Sequence, residues 1–162
     1  MKLFAAGALV IALAGSASAE PVPPPTTIDD EGVRVWIKSY LKVDGWTLIA
    51  ADGGAVAFGS PEGVSQGADK TLTAQIRHEF YHPMRMGDFD SRSNLQTWNI
   101  DCEHKRMRIV DIAIFEDNNL AGRSQARSFR NAEWTPVEDK TSTRGRTFRR
   151  ICEAPTTGHR LN

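Results

Sequence analysis

The feature that most constrains the fold is a repeated alternation of apolar and polar residues between Trp46 and Pro136. In KTLTAQIRHEFYHPM, apolar side chains fall on every second position, which is the period of a strand with one buried face. Turn-forming residues such as Asp52-Gly53-Gly54 separate the alternating stretches. The pattern predicts an antiparallel sheet of about five to six strands, with SPEGVSQGAD as a loop and ARSFRNAEWTPV as one last strand.

Two segments outside this region have helical features, which makes the predicted fold class α+β. The segment TSTRGRTFRRIC begins with residues that cap helices and then places Phe148, Ile151 and Cys152 on one face. It is predicted to form an amphipathic helix that packs on the sheet. Residues 31–45 are a lead-in segment whose apolar residues fit helical spacing, but Val33 and Val35 also alternate, so either a helix or a strand fits.

The first nineteen residues, 1–19, have the features of a secretory signal peptide. They combine Lys2, an apolar stretch shorter than the roughly 20 residues that span a bilayer, and a small-residue exit. Residues 20–30 contain four prolines and are predicted to form an extended tether, and residues 156–162 a flexible tail. We therefore expect a periplasmic or secreted protein with no transmembrane segment after signal cleavage.

The charge balance argues against a nucleic-acid partner. The chain contains 20 Lys+Arg and 20 Asp+Glu, and loss of the signal peptide removes one lysine, which leaves 19 basic residues against 20 acidic ones. Nucleic-acid-binding domains normally carry a clear basic excess. The sequence also contains no glycine-rich phosphate loop, so no cofactor is predicted.

The chain has two cysteines, Cys102 and Cys152. Exported proteins with an even number of cysteines usually pair them. A disulfide would attach the predicted C-terminal helix to the strand that ends at Cys102. The alternative is a free catalytic cysteine, for which the sequence has no supporting motif.

Residues 78–82 spell HEFYH, which matches the H-E-x-x-H motif of zinc proteases. On a helix, His78 and His82 could bind one metal ion and Glu79 could act as general base. On a strand the two histidines are about 13 Å apart and cannot share an ion. The β-type neighbours and Pro83 favour a strand with two half-exposed histidines. The alternative hypothesis is a small secreted zinc hydrolase with His78 and His82 as ligands.

Residues 46–155 resemble the surface-adhesin protein E family of exported bacterial proteins. The resemblance rests on GWTLIAADGGAVAFGS, on SNLQTWNIDC, on RMRIVDIAIF after a charged turn, and on EWTPV before a closing helix. It implies a strongly bent antiparallel sheet with the C-terminal helix held on it by a Cys102–Cys152 disulfide. It also implies an adhesive rather than enzymatic role, and it allows a homodimer.

Arginines are concentrated near the C-terminus. Arg146, Arg149 and Arg150 lie on the predicted helix and are candidate contacts for an anionic partner, although a solvated helix face is the simpler interpretation. Trp98 and Trp134 lie in strand patterns and are expected in the core.

The function that these features favour is an exported, non-enzymatic binding module. Its expected partner is an unknown protein or envelope component, and no metal or other cofactor is required. Two alternatives are a small zinc hydrolase and a periplasmic inhibitor of an enzyme, since such inhibitors are also small, disulfide-bonded and rich in sheet.

Overall fold

The computed structural model describes residues 20–67 and 69–153. The helices in this part of the chain are α1 (Asp30–Tyr40) and α2 (Thr143–Glu153). The strands are β1 (Thr47–Ala51), β2 (Ala55–Gln66), β3 (Leu72–Met86), β4 (Phe89–Asp101), β5 (Arg106–Asp117), β6 (Ala121–Ser128) and β7 (Thr135–Pro136). The predicted signal peptide at 1–19 and the predicted tail at 156–162 lie outside the described residues.

The seven strands form one antiparallel sheet in the order β1-β2-β3-β4-β5-β6, and β7 pairs with β5. The antiparallel sheet is confirmed, but the strand number of five to six was too low. The predicted last strand divides into β6 and β7 because the chain leaves the sheet at the turn around Arg130 and returns to a different part of β5. Each of the five ladders from β1 to β6 contains a register shift, and such irregularities bend strands.

The segment predicted as a loop at residues 60–69 is a strand over most of its length. β2 continues to Gln66 and pairs with β3 beyond a register shift between Gly59 and Val64. The Pro and Gly residues that suggested a loop therefore lie at a bulge, where strands tolerate them.

The α2 face of the sheet carries the larger core. Register places Ala74 opposite Trp98 and Leu72 opposite Ile100, so these side chains lie on one face. Phe148 and Ile151 of α2 pack onto this cluster. The prediction that the C-terminal helix packs on the sheet is confirmed.

At the start of α2, side chains accept hydrogen bonds from backbone N–H groups that have no carbonyl partner within the helix. The Ser142 hydroxyl accepts a hydrogen bond from the Gly145 N–H at 3.1 Å, and Asp139 accepts one from the Thr141 N–H at 2.8 Å. Gly145 is required here because an added Cβ would meet the Asp139 carbonyl oxygen at 1.9 Å. The Cys102–Cys152 disulfide holds the other end of the helix, as predicted.

The α1 face of the sheet is covered by the N-terminal helix, so of the two alternatives for this segment the helix forms. Asp29 caps it through the Gly32 N–H at 2.7 Å. Val33 and Trp36 are buried against Phe58 and Tyr81. Trp36 also meets Tyr81 edge to face, with ring centroids 5.2 Å apart.

The segment 20–30, predicted to form an extended tether, contacts α1 and β4 through two of its carbonyl groups. The Trp36 indole N–H donates to the Pro23 carbonyl at 2.6 Å, and Arg92 donates to the Val22 carbonyl at 3.2 Å. Val22 lies against the core under α1. Composition indicated an extended backbone, whereas these contacts depend on tertiary structure.

Among the described residues, neither helix is long and apolar enough to cross a membrane.

Candidate functional site

The H-E-x-x-H residues lie on β3, so the helical arrangement of a zinc protease is not formed. His78 is half-buried with its Nδ1 atom 3.0 Å from the Asn94 Oδ1 atom, whereas His82 is exposed. Burial lowers the pKa of the His78 imidazole, and the contact with Asn94 offsets part of that effect. The zinc hydrolase alternative is contradicted by this geometry. The expectation of two half-exposed histidines holds for His78 only.

Glu79, the would-be general base, is fully buried in an ion pair with Arg77. Arg77 and Glu79 are two residues apart on β3, so both side chains point to the α1 face of the sheet. The Arg77 Nη2 and Glu79 Oε1 atoms are 2.6 Å apart. Glu79 also accepts from the Asn118 side chain at 2.9 Å and from the Asn119 N–H at 3.0 Å. Burial raises the pKa of the Glu79 carboxyl, and the Arg77 charge and these donors oppose that rise.

Arg77 extends this buried network to two other parts of the chain. Its Nη1 donates to the Lys42 carbonyl at 2.8 Å and its Nη2 to the Asn119 side chain at 3.2 Å. Its guanidinium also lies over the Trp46 ring at 5.6 Å from the centroid. The network therefore joins β3, the segment after α1 and the β5–β6 turn, and its role is structural. The sequence feature that could have predicted this network is the pair of opposite charges, Arg77 and Glu79, two residues apart on one strand.

The three arginines predicted on α2 have different environments. The Arg146 side chain is turned towards the end of β1 and donates to the Ala51 carbonyl. Arg149 and Arg150 are exposed. Arg146 is therefore a poor candidate for a partner, because its guanidinium already holds the helix to the sheet.

Arg149 lies in a cleft beside the disulfide, together with cations from two other segments. This disulfide cleft is a cavity of about 230 Å³ lined by both cysteines, by the cations Lys105, Lys140 and Arg149, and by Glu153 as its acidic residue. Phe148 and Val137 form its apolar part. Lys140 lies in the basic stretch that precedes Arg149 in the sequence, whereas Lys105 was not predicted, because only the fold brings the β4–β5 turn to α2.

A second cavity of about 490 Å³ adjoins the disulfide at Cys102 and contains Trp134. The guanidinium carbons of Arg106 and Arg108 lie 5.0 Å and 4.5 Å from the centroid of the Trp134 ring. Trp134 is thus half-buried under two cations and not in the core, whereas the prediction for Trp98 is confirmed. The tryptophan follows the turn after β6, so strand alternation did not apply to it.

Asp101 supports the wall of this cavity and has a strongly lowered pKa of about 2. The His104 backbone N–H stabilises the carboxylate most, and the Arg106 and His104 side chains add to that effect. Arg106 Nε donates to it at 2.9 Å. The contribution of Asp101 to stability is thus present above pH 3.8 and is lost as the pH falls through about 2.

Arg106→Gln should raise the pKa of Asp101 from about 2 towards the ordinary aspartate value of 3.8, because one of the groups that stabilise the carboxylate is lost. Carboxyl-carbon NMR titration measures this pKa directly. Arg130→Gln removes the same charge at an exposed turn and should leave the pKa unchanged. An unchanged pKa in Arg106→Gln would contradict the assigned ion pair.

Comparison with protein-family models identifies the family to which this chain belongs. The family model described as "Surface-adhesin protein E" matches residues 46–153. The chain belongs to the surface-adhesin protein E family. The match runs from Trp46, at the start of the sheet, to Glu153, at the end of α2, and so includes both clefts beside the disulfide.

Two solved structures of protein E from Haemophilus influenzae resemble the chain. One, from a non-typeable strain, is 11% identical, with coverage of 82% of each chain and a TM-score of 0.51. The other is 12% identical, with 82% of this chain and 91% of that chain covered and a TM-score of 0.48. At such low identity the first likeness supports a shared fold only. A comparison with curated proteins found no match.

Proposed function

We propose that this protein is an exported, non-enzymatic adhesin-like binding protein that contacts an acidic segment of a partner protein through the disulfide cleft. Family membership supports the adhesin-like role. The features of residues 1–19 support export and a periplasmic or secreted location. The homodimer and the enzyme-inhibitor alternative stay predictions.

The convergence of Lys105, Lys140 and Arg149 carries this proposal. They come from the β4–β5 turn, the segment before α2 and α2 itself, and they share one small cavity with a single acidic residue, Glu153. Such a local excess of positive charge attracts carboxylates even though the whole chain is neutral. The disulfide fixes α2 against the end of β4, so Arg149 is held beside the β4–β5 turn before a partner arrives.

The triple variant Lys105→Gln/Lys140→Gln/Arg149→Gln should bind poly-L-glutamate about tenfold more weakly than the unmodified protein, since three lost cations at about 0.5 kcal/mol each remove about 1.5 kcal/mol. Fluorescence anisotropy of labelled poly-L-glutamate at two salt concentrations measures this, and higher salt should weaken binding by the unmodified protein.

The matched control is Arg34→Gln/Lys38→Gln/Lys42→Gln, which removes the same charge from exposed positions near α1. An equal loss in both triple variants would overturn the cleft as the contact site, as would the absence of any poly-L-glutamate binding. Binding to phosphatidylglycerol vesicles but not to poly-L-glutamate would identify an envelope surface instead of a protein as the partner.

A further inference from the structure

A third cavity lies on the α2 face of the sheet, beyond the area that α2 covers. α2 lies over β1 and β2 at one side of the sheet. Ile114 pairs with Asn94 and Ile112 with Gln96, so both isoleucines share the face of Trp98 and Ile100. They lie towards the β6 side, where a groove remains open.

This β5–β6 groove is apolar at its base and has a volume of about 290 Å³. Its apolar lining consists of Met86, Ile112, Ile114 and Phe129. The Phe129 side chain is 42% exposed, which is unusual for a large aromatic ring beside a core. The groove is at the β3–β4 turn, which is the opposite end of β4 from the disulfide cleft.

Two guanidinium groups flank the apolar base, one on each side. Arg85 belongs to β3 and Arg127 to β6. Arg85 has a distant partner in Asp90, at 3.8 Å with both side chains largely exposed. Arg127 makes no ion pair within residues 20–67 and 69–153. An apolar groove with cations at its rim and no acidic residue in its lining is complementary to an anion with an apolar tail.

The groove also contains a buried hydrogen-bond acceptor without a donor. The Gln125 Oε1 atom is buried and has no partner, while its Nε2 donates to Asp88 at 3.4 Å. Gly87 has a φ of +66°, and a Cβ there would meet the Gln125 Oε1 atom at 2.5 Å, so the β3–β4 turn closes tightly over this amide. The same closure leaves the Oε1 atom without accessible surface, so it lies out of reach of a ligand in the groove.

We propose that the β5–β6 groove binds a medium-chain fatty-acid carboxylate. Arg127, assisted by Arg85, holds the carboxylate, and the chain lies on Ile112 and Phe129. The cavity has room for roughly ten water-sized groups at about 30 Å³ each, which corresponds to a chain of about ten carbons. This site is independent of the disulfide cleft and of the protein partner proposed for it.

The test uses decanoate as the probe, below its micelle concentration, with methyl NMR and calorimetry as readouts. Saturable 1:1 binding with shifts at Met86, Ile112 and Ile114 is expected. Arg127→Gln should weaken binding about tenfold, the effect of losing a charge-assisted hydrogen bond. Phe129→Ala should weaken it severalfold. Both positions are exposed, so neither change threatens the fold.

Several controls can overturn the proposal. Arg130→Gln removes an exposed cation outside the groove and should leave binding unchanged. Decyltrimethylammonium has the same chain with the opposite charge and should not bind. Absence of saturable binding, binding that survives both Arg127→Gln and Phe129→Ala, or equal binding of the cationic probe would overturn the site.

Discussion

Glu79→Ala is expected to lower the free energy of unfolding by about 3–5 kcal/mol, because it leaves the Arg77 guanidinium buried without its counter-charge. The Asn118 and Asn119 donors would lose their acceptor in the same change. Urea denaturation followed by tryptophan fluorescence measures the loss as a lower transition midpoint. This result would identify Glu79 as a structural residue, in contrast to the general base that H-E-x-x-H suggested.

Two further variants separate the ion pair from other causes of instability. Arg77→Met/Glu79→Leu removes both charges and should recover much of the loss, since apolar replacement of a buried pair is often neutral or stabilising. Glu31→Ala breaks the exposed Arg34–Glu31 pair, whose side chains are each 74% exposed, and should leave the midpoint unchanged. A Glu79→Ala protein as stable as the unmodified one would refute the buried network.

Removing the disulfide in Cys102→Ala/Cys152→Ala is expected to cost about 4 kcal/mol, from the entropy that a cross-link across 50 residues removes from the unfolded chain. The same variant should release the end of α2, so that amide hydrogens between Phe148 and Cys152 exchange faster than those in the β3–β4 ladder. Urea denaturation and hydrogen exchange give the two measurements.

The unmodified protein in reducing agent provides the comparison for this variant, and its urea midpoint should fall to that of the double-alanine protein. The double-alanine protein itself should not respond to the reductant. If neither cysteine removal nor reduction changes the midpoint or the exchange of α2, the disulfide is not what holds the helix on the sheet.

The strands were predictable where one face is buried, because a buried face imposes a period of two on the sequence. β3 and β4 follow that rule, whereas β5 was predicted from its β-branched residues, and the three were found in their correct order. Prediction from the period of two failed at β2 beyond Gly59, where a register shift interrupts the pattern. It also failed at the division between β6 and β7. β6 is exposed along most of its length and so has no apolar face to alternate with a polar one.

The candidate sites were predictable only in part. Arg149 could be found because neighbouring arginines on α2 are visible along the chain. Lys105 could not, since the β4–β5 turn meets the segment of Lys140 and α2 only in the folded protein. The groove at Ile112 and Phe129 could not be predicted from the sequence either, because local patterns do not show how much of a sheet face a helix leaves uncovered.

The sequence by itself determined the antiparallel strands, the amphipathic C-terminal helix and the pairing of Cys102 with Cys152, since each depends on local periodicity or on residue chemistry. Tertiary structure alone decided the role of H-E-x-x-H. The motif is compatible with a metal site on a helix and with a structural ion pair on a strand, and the pairing of β3 with β2 and β4 selects the strand. On that strand, adjacent side chains point to opposite faces, so His78 and Glu79 are separated by the sheet itself.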